Sequence, residues 1–443
     1  MSMAKKTKDS NLSIEERLEQ ALIPNWDEPY NLPKNWCWIN LKSVLRHQSG
    51  NSKLIKGRLA SVKSYGLYNA YSASGQDVYT ESYEHEGDAI IVSAVGARCG
   101  KAFLASGKWS AIANTHIIYS NDNLLDIRYL YYILNNESWW VKSGSAQPFV
   151  VVNESLLRPF ALPPFQEQQR IVKQIESLFA ELDEAKEKAQ DVVDGFETRK
   201  AAILHKAFSG ELTAKWREEH QHSIHEWSNW SIDELCFSLK YGTAKKSKSE
   251  GPVVVIRMGN LQQGEIDWTD LAYTDDPEDI EKYKLFPGDV LFNRTNSAAL
   301  VGKTSIYRGD YPAIFAGYLI KLDYDRNNIL GDYLNYALNT TTAKEYCNSV
   351  KTDGVNQSNI NAKKIGAFVI PVAPIKEQEV IVRIIKELLR KEKAAKDAAE
   401  SVIEQIDTMK KAILARAFRG ELGTNDPSEE SALELLKRVL ESK

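Results

Sequence analysis

KAAILHKAFSGEL occupies Lys200 to Leu212, and KKAILARAFRGEL occupies Lys410 to Leu422. The two lie 210 residues apart, and at that offset 167–212 and 377–422 agree at 20 of 46 positions. Chance gives only a few such matches, so the chain contains a duplication, and the remainder is read as two copies of one unit. Upstream, Pro164-Phe-Gln-Glu-Gln168 parallels Pro374-Ile-Lys-Glu-Gln378. Further back, Gly87-Asp-Ala parallels Gly288-Asp-Val, and Gly100-Lys-Ala parallels Gly302-Lys-Thr. Asn35-Trp36 and Asn229-Trp230 are taken as the openings of the two copies.

The well-kept segment reads as helix. In copy one, Ile171, Ile175, Leu178, Leu182, Ala185, Ala189, Val192 and Phe196 step by 4,3,4,3, a heptad seam. In copy two, Ile381, Ile385, Leu388, Ala395, Ala399, Val402, Ile406, Met409 and Ile413 continue such a seam, interrupted only by Glu392. Pro164 and Pro374 suit helix starts, and Gly210 and Gly420 suit left-handed ends. About 40 residues at ~1.5 Å each gives a rod of roughly 60 Å. The natural partner of each helix is the other copy, antiparallel, with the mid-seam alanines allowing close approach. The capping boxes Ser13-Ile-Glu-Glu16 and Ser431-Ala-Leu-Glu434 predict short terminal helices that dock on the coil or on a partner.

Ahead of each rod lies a divergent part that reads as mixed α/β. Ala89–Val92, Thr115–Tyr119, Val253–Ile256 and Leu319–Leu322 are strand-like runs between Gly, Asn and Ser turns. Ile127–Leu134 and Tyr333–Leu338 read as aromatic-rich helices. The expected organisation is an arm at 1–34, globular parts at 35–163 and 227–373, long helices at 164–212 and 374–422, a linker at 213–226 and a tail at 423–443.

Composition sets outer bounds. The 443 residues predict several domains. No apolar run reaches membrane-spanning length, and the polar start lacks a signal-peptide core. The four scattered cysteines form no CxxC, which fits a reducing cytoplasm better than a disulfide scaffold. The net charge of −4 disfavours a nucleic-acid binder at first sight.

Catalytic motifs approach and fail. Ser297-Ala-Ala-Leu-Val-Gly302-Lys303-Thr304 has Ser where a phosphate loop needs Gly. Leu162-Pro163-Pro164-Phe165 has Leu where an adenine methyltransferase needs an Asn amide to hold a flipped base. There is no Gly-rich cofactor loop. His220, His222 and His225 read as a polar, solvated linker rather than a metal site.

Two divergent parts, each followed by a matching long helix, resemble the specificity subunit of type I restriction–modification enzymes. The resemblance rests on Glu28-Pro-Tyr-Asn-Leu-Pro-Lys-Asn-Trp36, the doubled Gly-Asp and Gly-Lys turns, the Pro-x-x-Glu-Gln helix starts and the duplicated Lys-x-Ala-Ile-Leu-x-x-Ala-Phe-x-Gly-Glu-Leu endings. It covers nearly the whole chain. It implies two target recognition domains, each reading half of a split site in double-stranded DNA. They would be held apart by an intramolecular antiparallel coiled coil with pseudo-twofold symmetry. It also implies a non-catalytic chain that assembles with two modification subunits and two restriction subunits. The chain would hold no cofactor; S-adenosylmethionine, ATP and Mg would sit on those partners. The competing readings are a stand-alone methyltransferase or nuclease, and a two-lobed scaffold with no DNA role.

On this reading, phosphate contacts want Lys, Arg and Ser, and base edges want Arg, Asn and Gln. The candidates in the first part are Lys53, Lys56, Arg58, Lys63, Arg98, Lys101 and Gln147. In the second they are Lys245, Lys246, Lys248, Arg257, Asn260, Arg294, Asn296, Lys303, Asn356 and Gln357. Tyr65, Tyr68 and Tyr71 are weighed as stacking groups, with core packing the better reading. Phe165, Phe179, Phe208, Ile375, Leu389 and Phe418 near the rod ends are candidates for partner contact or for closing the coil. From Trp36 to Phe165 there are 12 basic and 9 acidic residues (+3), and from Trp227 to Pro374 16 and 18 (−2). Charge is therefore segregated, and weak DNA binding by the isolated chain is expected.

Overall fold

The computed structural model describes residues 12–23, 28–121, 123–355 and 357–441. It forms two compact units. One comprises Met1–Lys188 and Val402–Lys443, the other Ala189–Ser401, so each holds a mixed α/β body and a section of both long helices.

The central sheet of the first unit has strand order Arg46–Ser49, Thr115–Tyr119, Ala89–Ser93, Ala102–Ala105, all antiparallel. Ala89–Ser93 is apolar throughout except for its last residue and is buried on both faces, as a strand covered on both sides must be. A second sheet pairs Tyr68–Ser72 in parallel with Lys108–Ala111. The second unit repeats this plan with little sequence in common. Its central sheet runs Cys236–Tyr241, Leu319–Tyr324, Val290–Asn293, Thr304–Ile306. Its parallel pair is Val253–Ile256 with Ala313–Phe315. The doubled turns explain which residues survived: Gly87 and Gly288 both sit at φ +92°, Gly100 and Gly302 at +90° and +91°. Only glycine adopts that conformation without strain.

Each long helix starts on a buried Glu-Gln pair. Gln168 accepts from the Asp126 amide at 2.8 Å and donates to the Leu124 and Pro163 carbonyls, both at 3.0 Å. Gln378 accepts from Leu330 at 2.9 Å and donates to Asn328 at 3.0 Å and Ala373 at 2.8 Å. Glu167 accepts from Trp36 Nε1 at 2.8 Å and Asn425 Nδ2 at 2.7 Å. Glu377 accepts from Trp227 Nε1 at 2.8 Å, Thr213 Oγ1 at 2.6 Å and the Arg217 guanidinium. The duplicated motif is thus a pair of structural locks, in which every buried polar atom needs a partner.

The locks correct the expected openings. Trp36 is matched by Trp227, not by Trp230. The strand pairings Cys37↔Leu162 and Ser228↔Val372 place both tryptophans just before the first strand.

The helices lie antiparallel within each unit. In the first, Asp183 meets Lys410 at 2.5 Å and Lys186 meets Asp407 at 3.4 Å. In the second, Arg199 meets Glu392 at 2.6 Å, and Lys396 lies 5.2 Å from the Phe196 ring centre. Gly210 and Gly420 end the helices at φ +81° and +72°. Copy two is one helix, Ile375–Ala417, but copy one is divided into Phe165–Asp194 and Phe196–Phe208. The division falls at Gly195, where a Cβ would lie 2.3 Å from the Arg199 guanidinium. The gap left by that glycine admits Arg199, and Arg199 neutralises the Glu392 that interrupts the seam. The mid-seam alanines divide: Ala189 and Ala399 are buried, while Ala185 and Ala395, with Val402 and Met409 further along, are exposed.

The terminal helices Ile14–Ala21 and Ala432–Glu441 dock at the ends of the long helices in the first unit, in a cluster that includes Ile171, Val172, Ile175 and Ala417. They join the core of the first unit through Ala21, Ala432, Leu435, Leu436, Val439 and Leu440, with Arg17 donating to the Leu440 carbonyl at 3.3 Å. Ser13 and Glu16 form the expected capping box.

Candidate nucleic-acid interface

Because the central sheets are antiparallel, Ser49, Ser93, Ala102 and Thr115 share one end of the first unit. The loop from Gly50 to Leu67, the turn from Ala94 to Lys101 and the turn from Ile112 to Asn114 spring from that end. The hairpin Lys142–Val150 joins them, with Gly96 donating to the Pro148 carbonyl at 3.0 Å and Val150 to Ala94 at 2.9 Å. The second unit gathers the loop after Tyr241, the 294–303 segment, the 316–318 turn and the hairpin Thr352–Asn359 in the same way.

The backbone at these two ends matches bond for bond. Gly50 donates to Thr115 at 2.9 Å and Gly242 to Leu319 at 3.4 Å. Asn51 donates to Ala111 at 2.8 Å and Thr243 to Phe315 at 2.9 Å. Ala94 donates to Asn114 at 2.9 Å and Arg294 to Tyr318 at 3.0 Å. Val150 donates to Ala94 at 2.9 Å and Ile360 to Arg294 at 2.8 Å. Gln147 and Gln357, 210 apart, sit at equivalent hairpin positions.

Most first-unit candidates collect at this end. Lys53, Lys56, Arg58 and Lys63 are exposed on the first loop, where Lys56 pairs with Asp77. Arg98 is exposed and donates to the Ser74 carbonyl at 3.4 Å. Lys101 is half-buried, and Gln147 is exposed in the hairpin. Of the tyrosines, Tyr65 is fully exposed on the loop, Tyr68 packs on Tyr83 at 5.0 Å, and Tyr71 is buried against Trp109.

The second-unit candidates divide. Arg294, Asn296, Lys303 and Gln357 lie at the shared end. Arg294 is half-buried: its guanidinium lies 4.8 Å from the Tyr241 ring centre and donates to Gly317 at 3.3 Å. Asn296 caps the Ser297 amide, and Lys303 donates to Gln262 at 3.0 Å. Arg257 follows the strand Val253–Ile256 and pairs with Asp270 at 2.9 Å. Asn260 is buried, with its amide donating to the Asp267 and Asp270 carbonyls, so its side chain holds a turn instead of facing outward. Lys245 and Lys248 run away from this end, toward Tyr273, and pair with Asp276 at 2.7 Å and Asp275 at 2.6 Å. Lys246 is exposed beside them. Asn356 lies outside the described residues.

Sequence reasoning overlooked Asn114, Phe149, Tyr241 and Tyr318, which are exposed at these ends. The only sequence signal was Asn114 in a turn, where its φ of +65° suits asparagine.

The rod-end apolar residues are largely spent inside the units. Phe179 packs on Tyr132 at 6.0 Å, Phe208 on Tyr333 at 4.9 Å and Phe418 on Tyr129 at 5.8 Å, while Leu389 joins the second core. Phe165 and Ile375 are half-buried at the helix starts. Among the described residues no His/Cys/Asp/Glu group is placed to hold a metal. His220 and His222 instead stack on Trp216 at 4.6 and 5.4 Å. No described helix is long and apolar enough to cross a membrane. The near phosphate loop is a turn: Gly302 donates to Asn293, and Thr304 begins a strand.

The sequence matches the family described as type I restriction modification DNA specificity domain over residues 33–191 and 224–405. It is 28% identical over 268 residues to the type I restriction enzyme EcoKI specificity subunit of Escherichia coli K12, covering 59% of this chain and 57% of that one. It is 27% identical over 266 residues to the StySPI specificity subunit of Salmonella potsdam, with the same coverage. The alignments therefore span somewhat over half the length of these relatives. In fold, it matches the HsdS subunit from Thermoanaerobacter tengcongensis with a TM-score of 0.59 at 19% identity, over 89% of this chain and 99% of that one. A chain from a study of type I R-M complex assembly and conformational transition matches with a TM-score of 0.64 at 18% identity, over 89% of this chain and all of the other. With both matched segments covering well over half of its length, the chain belongs to the type I restriction–modification DNA specificity family.

Proposed function

We propose that the chain is the DNA-recognition subunit of a type I restriction–modification assembly. Each unit reads one half of a bipartite duplex site with the loops at its shared end, and the paired helices set the distance between half-sites. The observation that carries this is one hydrogen-bonded frame, built twice, presenting different side chains outward. A frame that holds geometry while its tips vary suits two readers of unlike sequence. The chain has no catalytic role. Two modification subunits supply S-adenosylmethionine-dependent adenine methylation, two restriction subunits supply Mg- and ATP-dependent translocation and cleavage, and the assembly works in the cytoplasm.

The test is to express the chain with its modification subunits in a host that lacks them and to sequence the methylome. One bipartite motif with methylated adenine in each half is expected. Absence of motif-dependent methylation, together with no binding to any duplex at low salt, overturns the proposal. Saturable S-adenosylmethionine binding by the chain alone would favour the stand-alone methyltransferase instead.

A further inference from the structure

The matched frame makes it possible to name positions that do the same job in the two units. Asn114 and Tyr318 are one such pair: each supplies the carbonyl that accepts from the residue just after the central strand, Ala94 or Arg294. Both side chains are exposed, Tyr318 at 49%. Each lies in the turn between the parallel strand of the second sheet and a strand of the central sheet, beside the hairpin that carries Gln147 or Gln357.

The position is fixed from below in both units. In the first, the Thr115 hydroxyl donates to the Ile112 carbonyl at 2.7 Å and closes the turn. In the second, Gly317 donates to the Thr243 carbonyl at 2.7 Å and accepts from Arg294 at 3.3 Å, while the Arg294 guanidinium rests on Tyr241. A side chain on a turn held this firmly loses little freedom when it meets a ligand, which is what a base-reading group requires.

We propose that Asn114 and Tyr318 are equivalent specificity-determining residues, each reading a base edge in its own half-site. This rests on the DNA-reading function proposed above. The asparagine amide presents a donor and an acceptor side by side, the complement of the adenine major-groove edge. The tyrosine presents a ring that packs on a thymine methyl and a hydroxyl that bonds a neighbouring acceptor. The surrounding lysines and arginines contact phosphate and add affinity without sequence preference.

The experiment uses the full chain assembled with its modification subunits, and reads methylation rates on duplexes that vary one base pair at a time. Asn114→Gly keeps the positive-φ backbone and removes the amide. It is expected to relax one position of the first half-site, lowering discrimination there by roughly 5- to 150-fold while leaving the second half-site intact. Asn114→Asp also tolerates this backbone and is expected to move the preference toward a base offering an amino donor. Tyr318→Ala is expected to relax one position of the second half-site only, and Tyr318→Phe to retain the part of the preference owed to the ring. Unchanged motifs in all variants, or a uniform fall at every position, overturn the assignment. If the wild-type assembly itself shows no bipartite motif, it is the DNA-reading function that fails.

Discussion

The two units solve the same burial problem with different chemistry. In the first, Glu167 is fully buried among neutral donors from Trp36 and Asn425, with a longer contact from Thr424, and burial pushes its carboxyl above the usual range. In the second, Glu377 has the same tryptophan donor, but a buried arginine, Arg217, takes the place of the amide. The partner segments also differ in origin, since the first lock closes with the C-terminal tail and the second with the linker after the first rod. A duplicated glutamate can therefore keep its place while its counter-group changes, provided its lone pairs stay filled. The difference predicts unequal fragility. Arg217→Met strands a buried carboxylate and should destabilise the second unit by about 3–5 kcal/mol. Asn425→Ala removes one neutral donor and should cost the first unit about 1–3 kcal/mol. Calorimetric unfolding of both variants checks this, and equal losses would break the comparison. Arg217→Met combined with Glu377→Gln should recover most of the loss.

A smaller contrast sits in the seam. Leu182 and Met409 of the first unit stand, at the 210-residue offset, where Glu392 and Arg199 stand in the second. One copy thus has an apolar pair of positions where the other has an ion pair at 2.6 Å. Arg199→Met alone leaves Glu392 unpartnered. The pair is partly exposed, so the cost should be about 1–2 kcal/mol rather than that of a buried charge. Arg199→Met with Glu392→Leu gives the second unit the residues of the first and should be neutral or stabilising in a denaturant titration. A double variant weaker than the single one would show that the ion pair is needed for register.

These pairs mark what was legible in the sequence. The rods were readable because a heptad seam and left-handed glycine ends are local patterns, and the runs around Ile91, Ile117, Val255 and Ile320 were readable because buried strands are apolar. Glu392 was visible only as a flaw: its partner lies 193 residues away and enters through a gap left by Gly195. The Glu-Gln motif was found, but its purpose was not, since Asn425 and Arg217 are distant in sequence from the carboxylates they meet. For the interface, counting lysines found the first unit's loop. In the second it failed for Lys248, because nothing local says that Asp275 will fold onto it. Trp230 was matched to Trp36 on a shared Asn-Trp doublet, where three-dimensional pairing selects Trp227.

Titration separates the units again. Glu167 has its pKa raised by burial, so the folded state binds its proton more tightly than the unfolded chain does. Its contribution to stability falls as pH rises through the raised value, and the penalty is relieved as pH drops toward the ordinary 4.5. Asp332 in the second unit behaves oppositely. Burial raises its pKa, but the ion pair with Arg308 at 2.7 Å and the hydrogen bond from Lys386 at 2.8 Å outweigh that and leave it lowered. Its contribution is complete above the ordinary 3.8 and is lost as pH falls through the lowered value. Mild acid should thus favour the first unit's lock and, at lower pH, weaken the second unit. Each effect is worth about 1.4 kcal/mol per pH unit separating the folded and unfolded values. Glu167→Gln should flatten the first dependence and Asp332→Asn the second, as read by hydrogen exchange across a pH series.

The smallest expected effect concerns salt. No described ion pair involves Lys53, Arg58 or Lys63 on the first unit's loop, whereas Lys245 and Lys248 are engaged by Asp276 and Asp275. A lysine already held by a carboxylate releases fewer counterions on meeting a phosphate, because its charge is partly neutralised beforehand. Replacing Lys53 or Lys63 with Gln in the assembled complex should reduce the slope of log affinity against log salt by about 1 each. Replacing Lys245 or Lys248 should change it by less. Asp275→Asn with Asp276→Asn should do the reverse, releasing Lys248, leaving Lys245 only its longer contacts with Asp279 at 3.5 Å and Glu278 at 4.0 Å, and steepening the slope. Equal slopes for the two lysine sets would mean that the exposed acid–base pairs open freely on DNA, as their small individual strength allows, and the two loops would then count as electrostatic equals despite their different folded partners.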